Sequence, residues 1–587
     1  VTDGSEQGWV EALPPEDETG MMPQVVAPRP EPRGRIVAGL VLTVVIVAAI
    51  GLVAAWRASA GDPMASARMV PSDVDLAVTV DVLQLGDGER LERLIGAFAD
   101  PLHEAGVISE PFDLVDTIDQ ALQEQTDLTL SGDVLSWIGR SATVAVAMGD
   151  MNWFQGFGEF DGIDQLGGDT GFAENTVAPA AVRTADAAFL QSGFSPGVLI
   201  TAAVRDHAAA AAFVDKMVAL AESADITVTA RTVAGYEGFE LTEEFVPESE
   251  LLVLTDDMLL FGTDAMVTRA LALDGGTGSL ADDADYQAAL RRLPEDRMIT
   301  AFIDTGFLGA MAGGSFGTSG LPGGELGSYA MSLSVVDEGV RLNYGYVGSM
   351  EQAGEGPDMA ILESLPSDVI AFFSATGGTG VGDMAQLDPS VQFELDQIAA
   401  EIESITGIRF LDLLGALSGD VTVAVTETRD GSIARESAVP IGLVGAVGLL
   451  DRQPIDELLG ILRDHPDGYG LELVDDGDLT TVRFGGRDVA SLSLGDDLLV
   501  VGTGPELVGA VADGTGEGVT GTALYRELDD LVAGDGLSIF VDVSRLAGLI
   551  PLASEERAVI GQARGIGGGI AVDGDGFNVE LLILIDY

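Results

Sequence analysis

The chain has 587 residues, 47% of them apolar, and a formal net charge of −67 from 95 acidic and 28 basic side chains. That apolar fraction excludes wholesale disorder, and the length allows two large domains or three to four smaller ones. So acidic a surface repels phosphate backbones and argues against a nucleic-acid partner, while the absence of cysteine excludes disulfides, thiolate metal sites and a lipidated-cysteine anchor.

Residues 1–35 read as a disordered cytoplasmic tail: Pro14, Pro15, Pro23, Pro28, Pro30 and Pro32 remove backbone donors and few apolar side chains compensate. Next comes IVAGLVLTVVIVAAIGLVAAW, 36–56, without a charge and bounded by Arg33, Arg35 and Arg57. At ~1.5 Å per residue such a run crosses ~30 Å of hydrocarbon as one helix. Arg29, Arg33 and Arg35 precede it, so the positive-inside rule predicts a cytoplasmic N-terminus and an extracytoplasmic bulk, a single-pass protein of the cell membrane. Cleavage after Ala58-Ser59-Ala60 is the rival reading, against which the run is longer than the usual signal core. A linker, 57–68, follows.

From Met69 onward the chain repeats itself. DDMLLFGTDAMVTRAL (256–271) parallels DDLLVVGTGPELVGAV (496–511): an acidic turn, an apolar strand, Gly-Thr, then a helical segment. Both continue through a Gly-rich loop to an amphipathic stretch, around Tyr286 or Tyr525. Upstream, SWIGRSATVAVAM (136–148) parallels LGALSGDVTVAVT (414–426). GVLITAAVRDHAAAAAFVDKMVA (197–219) parallels IGLVGAVGLLDRQPIDELLGIL (441–462), with Asp206 and Asp451 placed to start a helix. Two homologous copies are therefore expected, 69–350 and 360–587, joined by a linker at 351–359.

A shorter theme marks strand starts. VPSDVDLAVTVD (70–81), LPEDRMITAFID (293–304) and LPSDVIAFFSAT (365–376) place Pro-x-Asp before an alternating apolar strand, and VAGDGLSIFVD (532–542) is a weaker fourth. Asp81, Asp304 and Asp542 close three of them and Thr376 the other, a swap that a catalytic carboxylate would not survive. These features, behind a short tail and one apolar helix, resemble a family of bacterial membrane-anchored extracytoplasmic proteins of unknown function. The resemblance implies an α+β ectodomain and carries no catalytic residue with it.

Chemistry-bearing motifs are few. Gly313 to Gly317 match G-x-S-x-G, but Ser315 stands in a Gly-rich loop and only His465 follows. Gly516, Gly518 and Gly521 match a dinucleotide fingerprint, yet they follow a helix rather than a strand. His103, His207 and His465 are scattered, and the Asp-Gly runs at 475–478 and 573–576 lack the rest of a calcium loop. No catalytic residue, cofactor or metal site is expected. A first-copy insertion, 151–175, carries Trp153, Phe154, Phe157 and Phe160, candidates for a partner contact because large aromatics in a loop do little for a core.

The expected architecture is thus α+β: one N-terminal transmembrane helix, then two copies of a mostly antiparallel sheet with helices on one face. The expected role is non-enzymatic binding of a protein or envelope component at the cell surface. The alternative is a carrier for lipid or another apolar ligand, held between sheet and helices.

Overall fold

The computed structural model describes residues 62–81, 128–147, 197–243, 249–273, 278–304, 327–348, 357–376, 407–427, 441–464, 471–514, 518–550 and 552–586, save 535, 574 and 575, with scattered positions in 90–126 and 399–403. All belong to one compact unit. Among them, no helix is long and apolar enough to cross a membrane. The run at 36–56 lies outside the described residues, as do the linker at 351–356 and the loop at 151–175.

The first half contributes β1 (Leu76–Asp81), β2 (Ile138–Ala147), β3 (Gly197–Val204), helix α1 (His207–Ser223), β4 (Thr227–Val233), β5 (Tyr236–Thr242), β6 (Glu250–Leu254), β7 (Met258–Thr263), α2 (Asp264–Ala272), α3 (Ala284–Arg291), β8 (Ile299–Asp304), β9 (Ser328–Val336) and β10 (Gly339–Val347). The second contributes α4 (Met359–Ser364), β11 (Val369–Ala375), α5 (Phe410–Gly415), β12 (Leu417–Glu427), β13 (Ile441–Leu449), α6 (Gln453–Asp464), β14 (Leu471–Asp476), β15 (Leu479–Phe484), β16 (Arg487–Leu494), β17 (Leu498–Gly502), α7 (Pro505–Ala512), α8 (Ala523–Leu531), β18 (Ile539–Asp542), α9 (Val543–Leu549), α10 (Ser554–Ile560), β19 (Ala563–Asp573) and β20 (Gly576–Ile585).

Strand pairing is antiparallel throughout the described residues. The first half runs β4-β5-β6-β7-β3-β2-β1-β8-β9-β10. The second runs β14-β15-β16-β17-β13-β12-β11-β18-β19-β20, the same scheme strand for strand. β10 then pairs with β20 along nine residues, so the halves share one 20-stranded sheet instead of owning two. The ladder sets Phe302 opposite Ala330 and Ala330 opposite Gly345; in the other half Phe540, Gly567 and Leu582 stand in the same relation. Gly345 thus corresponds to Leu582 and Asn343 to Glu580, and Asn343 and Glu580 face each other across the seam. A local two-fold axis passes between them.

The helices start where side chains cap them. Asp206 accepts from the amides of Ala208 and Ala209 at 3.0 and 3.1 Å, and Asp451 from Gln453 at 2.9 Å. Gly262, next to last in β7, is a glycine because its neighbour is backbone: a Cβ there would lie 2.1 Å from the Val198 carbonyl oxygen.

Helices cover both faces of the sheet, not one. On the inner face α2 and α3 bury Met266, Val267, Ala270, Tyr286 and Ala289 against Ala77, Ala145, Leu199, Leu251, Leu260 and Phe302. The second half does the same with Val508, Tyr525 and Leu528 against Phe372, Ala424, Val444, Val500 and Phe540. The outer face belongs to α1 and α6. Leu252 alternates with the inner Leu251 and Val253, pairs with Phe261 and lies under Ala211 and Val214 of α1. The cause is the strands themselves: Leu251-Leu252-Val253 and Met258 to Phe261 are apolar on both sides, so one helical layer leaves half of that area wet.

Candidate functional site

The space between α1 and the outer face of β4 to β6 is a cleft of ≈ 450 Å³. Its floor is Ala230, Phe239, Leu252 and Leu254, its roof Ala211 and Val214, and His207, Asp215, Arg231 and Glu237 stand on its rim. The opening follows from composition. α1 begins His-Ala-Ala-Ala-Ala-Ala, and small side chains reach less far from a helix than leucine. Lys216, the single lysine of the chain, donates to the Asp133 carboxylate. Trp137 stacks 5.3 Å from Phe213, so α1 is held from the side. Burial works against the Asp133 charge, yet Lys216 and the Thr129 amide and hydroxyl hold its carboxyl below the usual range.

In the second half the corresponding space is filled. Aligned on Asp206 and Asp451, α6 has Ile455, Leu458 and Leu459 where α1 has Ala210, Phe213 and Val214. Ile455 and Leu459 form a core with Ile408, Leu413 and Leu449, packed against Leu473, Leu492 and Leu499. Arg463 reaches across to Asp475 at 3.0 Å and to Thr480 at 3.3 Å. One half keeps a cleft and the other closes it.

The rim is acidic. Arg231 is already held by Asp264 at 2.6 Å and Glu240 at 3.4 Å, and these two carboxylates raise its pKa. Asp215 and Glu237 are exposed, and among the described residues neither has an ion-pair partner.

A second polar feature lies on the inner face, at the two-fold axis. Thr201, Thr143, Thr79, Thr300, Ser332, Asn343 and Glu580 are successive cross-strand neighbours and all are buried. At the seam Ser332 Oγ, Ser334 Oγ, Asn343 Nδ2 and Asn578 Oδ1 find no hydrogen-bond partner among the described residues. Arg341 Nε lies 3.1 Å from Glu580 Oε1, close enough for an ion pair but too poorly aligned for a hydrogen bond. Burial pushes the Glu580 carboxyl up; Arg341 and the Ala533 amide pull it back, and Asp296 adds to the rise.

Beyond α6, the outer face over β11 to β13 exposes apolar side chains. Phe373 is 49% exposed and Val423 47%, and Leu443 and Val501 stand nearby on the same side. At the seam that face carries Tyr329, Tyr344, Tyr346 and Phe577, with centroids 4.8–5.8 Å apart.

Of the residues singled out from the sequence, Trp153, Phe154, Phe157 and Phe160 lie outside the described residues, as do 313–317 and His465. His207 opens α1 and reaches the cleft rim, a role that no spacing signalled. Gly518 belongs to a close approach: a Cβ there would lie 2.3 Å from the Glu363 carbonyl oxygen. The Asp-Gly run at 475–478 forms the β14–β15 hairpin turn, and Asp573 and Gly576 of the other are the paired ends of β19 and β20. Asp81 binds Arg140 at 2.9 Å, and Asp542 accepts from the Arg545 amide at 2.9 Å to cap α9. Among the described residues no group of three His, Asp or Glu side chains could hold a metal ion.

A family model for proteins of unknown function, DUF3352, matches residues 36–458. The chain belongs to the DUF3352 family. The DUF3352 match opens on Ile36, the first residue of the uncharged run, and ends inside α6, so it takes in the cleft and β11 to β13. Comparison with curated proteins and with solved structures finds no match.

Proposed function

We propose that the chain is a non-enzymatic binding protein, anchored in the cell membrane by residues 36–56 with its sheet outside, that holds an apolar or amphipathic envelope component. The observation that carries this reading is the cleft under α1, open in one half while Ile455, Leu459 and their neighbours pack its counterpart into a core. Its volume falls within the ~300–1,000 Å³ usual for small-ligand sites, with an apolar floor and a few polar groups at the mouth. The anchor rests on the uncharged run and its flanking arginines. Native purification of the full chain, organic extraction and mass spectrometry test the binding role. Expected is one apolar species in near-stoichiometric amount, lost when Ala211→Leu and Ala230→Leu fill the cleft; an extract without it, or unchanged by the filling, overturns the reading.

A second reading is favoured by the exposed apolar side chains of that outer face, where a protein partner would dock on Phe373, Val423, Leu443 and Val501. Trp153, Phe154, Phe157 and Phe160 are further candidates for such a contact. Phe373→Glu with Val423→Glu is expected to abolish cross-links to that partner with the cleft ligand retained. Cross-links unchanged by the pair would dismiss this face.

A further inference from the structure

The cleft under α1 has a charge pattern that selects among apolar ligands. Two carboxylates, Asp215 and Glu237, stand at its mouth, and the one guanidinium of its lining, Arg231, is already held by Glu240 and Asp264. Asp215 and Glu237 come from opposite sides, one from α1 and one from β5. The chain around them carries a formal charge of −67. A fatty acid or anionic lipid arriving here would set its head against fixed negative charge; of the basic residues in the lining, Arg231 is already held and His207 alone could receive it. An ammonium head would meet two open carboxylates while its chain lay on Ala230, Phe239, Leu252 and Leu254.

We propose that this cleft takes a cationic amphiphile, an alkyl chain bearing an ammonium head that rests between Asp215 and Glu237. The proposal rests on the binding reading above and narrows it to one head-group charge. Binding is non-covalent: the chain leaves water for the apolar floor, and the ammonium exchanges part of its hydration for the two carboxylates.

The test uses the full chain in discs of zwitterionic lipid, dialysed to equilibrium against octyltrimethylammonium, octyl glucoside and octanoate, each below its micelle concentration. The variant with Ala211→Leu and Ala230→Leu measures uptake by the disc, which is subtracted. Octyltrimethylammonium is expected to saturate one site about tenfold more tightly than either other probe, since each exposed charge contact contributes modestly and two act together. Asp215→Asn with Glu237→Gln, both on exposed positions where folding is not at stake, is expected to remove that preference and leave the chain contribution. Equal binding of all three probes overturns the head-group proposal and leaves the binding reading standing. No saturable binding of any probe above the filled variant overturns both. If the filled variant does not fold, the carboxylate pair decides alone: an unchanged preference in D215N/E237Q overturns the proposal.

Discussion

Glu580 shows how one residue ties the stability of the seam to pH. Its side chain is 8% exposed, and its ion-pair partner among the described residues is Arg341, itself 21% exposed. Removing one member of a buried pair strands the other, which costs roughly 3–5 kcal/mol, more than the pair contributes over apolar replacements. Arg341→Met is therefore expected to lower the denaturation free energy by about that amount, and Arg341→Met with Glu580→Leu by much less. Denaturant unfolding of the three chains checks it; a single change costing under ~1 kcal/mol would mean water reaches the pair. The pH dependence has a definite sign. Burial raises the folded-state value of Glu580 above its unfolded one, so the folded form binds the proton more tightly. Its contribution is complete below the ordinary glutamate range and is lost as pH rises through the raised folded value. Glu580→Gln should flatten that part of the stability curve, measured as the urea midpoint against pH.

At the scale of elements, what could be read from the sequence was what local rules govern. β7 into α2 and β17 into α7 are visible as an apolar strand, Gly-Thr and a periodic helix, because turn chemistry and periodicity act over a few residues. The caps at Asp206 and Asp451 are visible for the same reason. The placement of α1 and α6 on the far face was not. An apolar run such as Leu251-Leu252-Val253 tells that a strand is buried on both sides, yet not which helix lies on which side. The cleft was out of reach too. Ala210 against Ile455 and Val214 against Leu459 are plain in the sequence, but only the shared position of α1 and α6 over the sheet turns those differences into a space. His207, isolated from the other histidines in the sequence, reaches the rim through the same geometry.

Across the whole molecule, the least local contact settles how the halves behave. β10 closes the first half and β20 the second, and no turn or motif announces their pairing, so the sequence suggests two sheets. Because the seam merges them, the cores built on Tyr286 and on Tyr525 belong to one sheet and should unfold together. Asn343→Asp tests this at the axis, where the new carboxylate would face Glu580 directly. Two carboxylates opposed on a buried face share one proton and raise each other's affinity for it. The variant is expected to lose roughly 1–3 kcal/mol at neutral pH. Part of the loss should return as acid protonates the pair, because a raised folded-state value makes the proton stabilising. Hydrogen exchange locates the consequence. If the sheet is one cooperative unit, amides of β7 and of β17, each several strands from the seam, lose protection by the same factor in the variant. Loss confined to β10 and β20, with both cores unchanged, would mean that the two halves stand independently and that the seam only docks them.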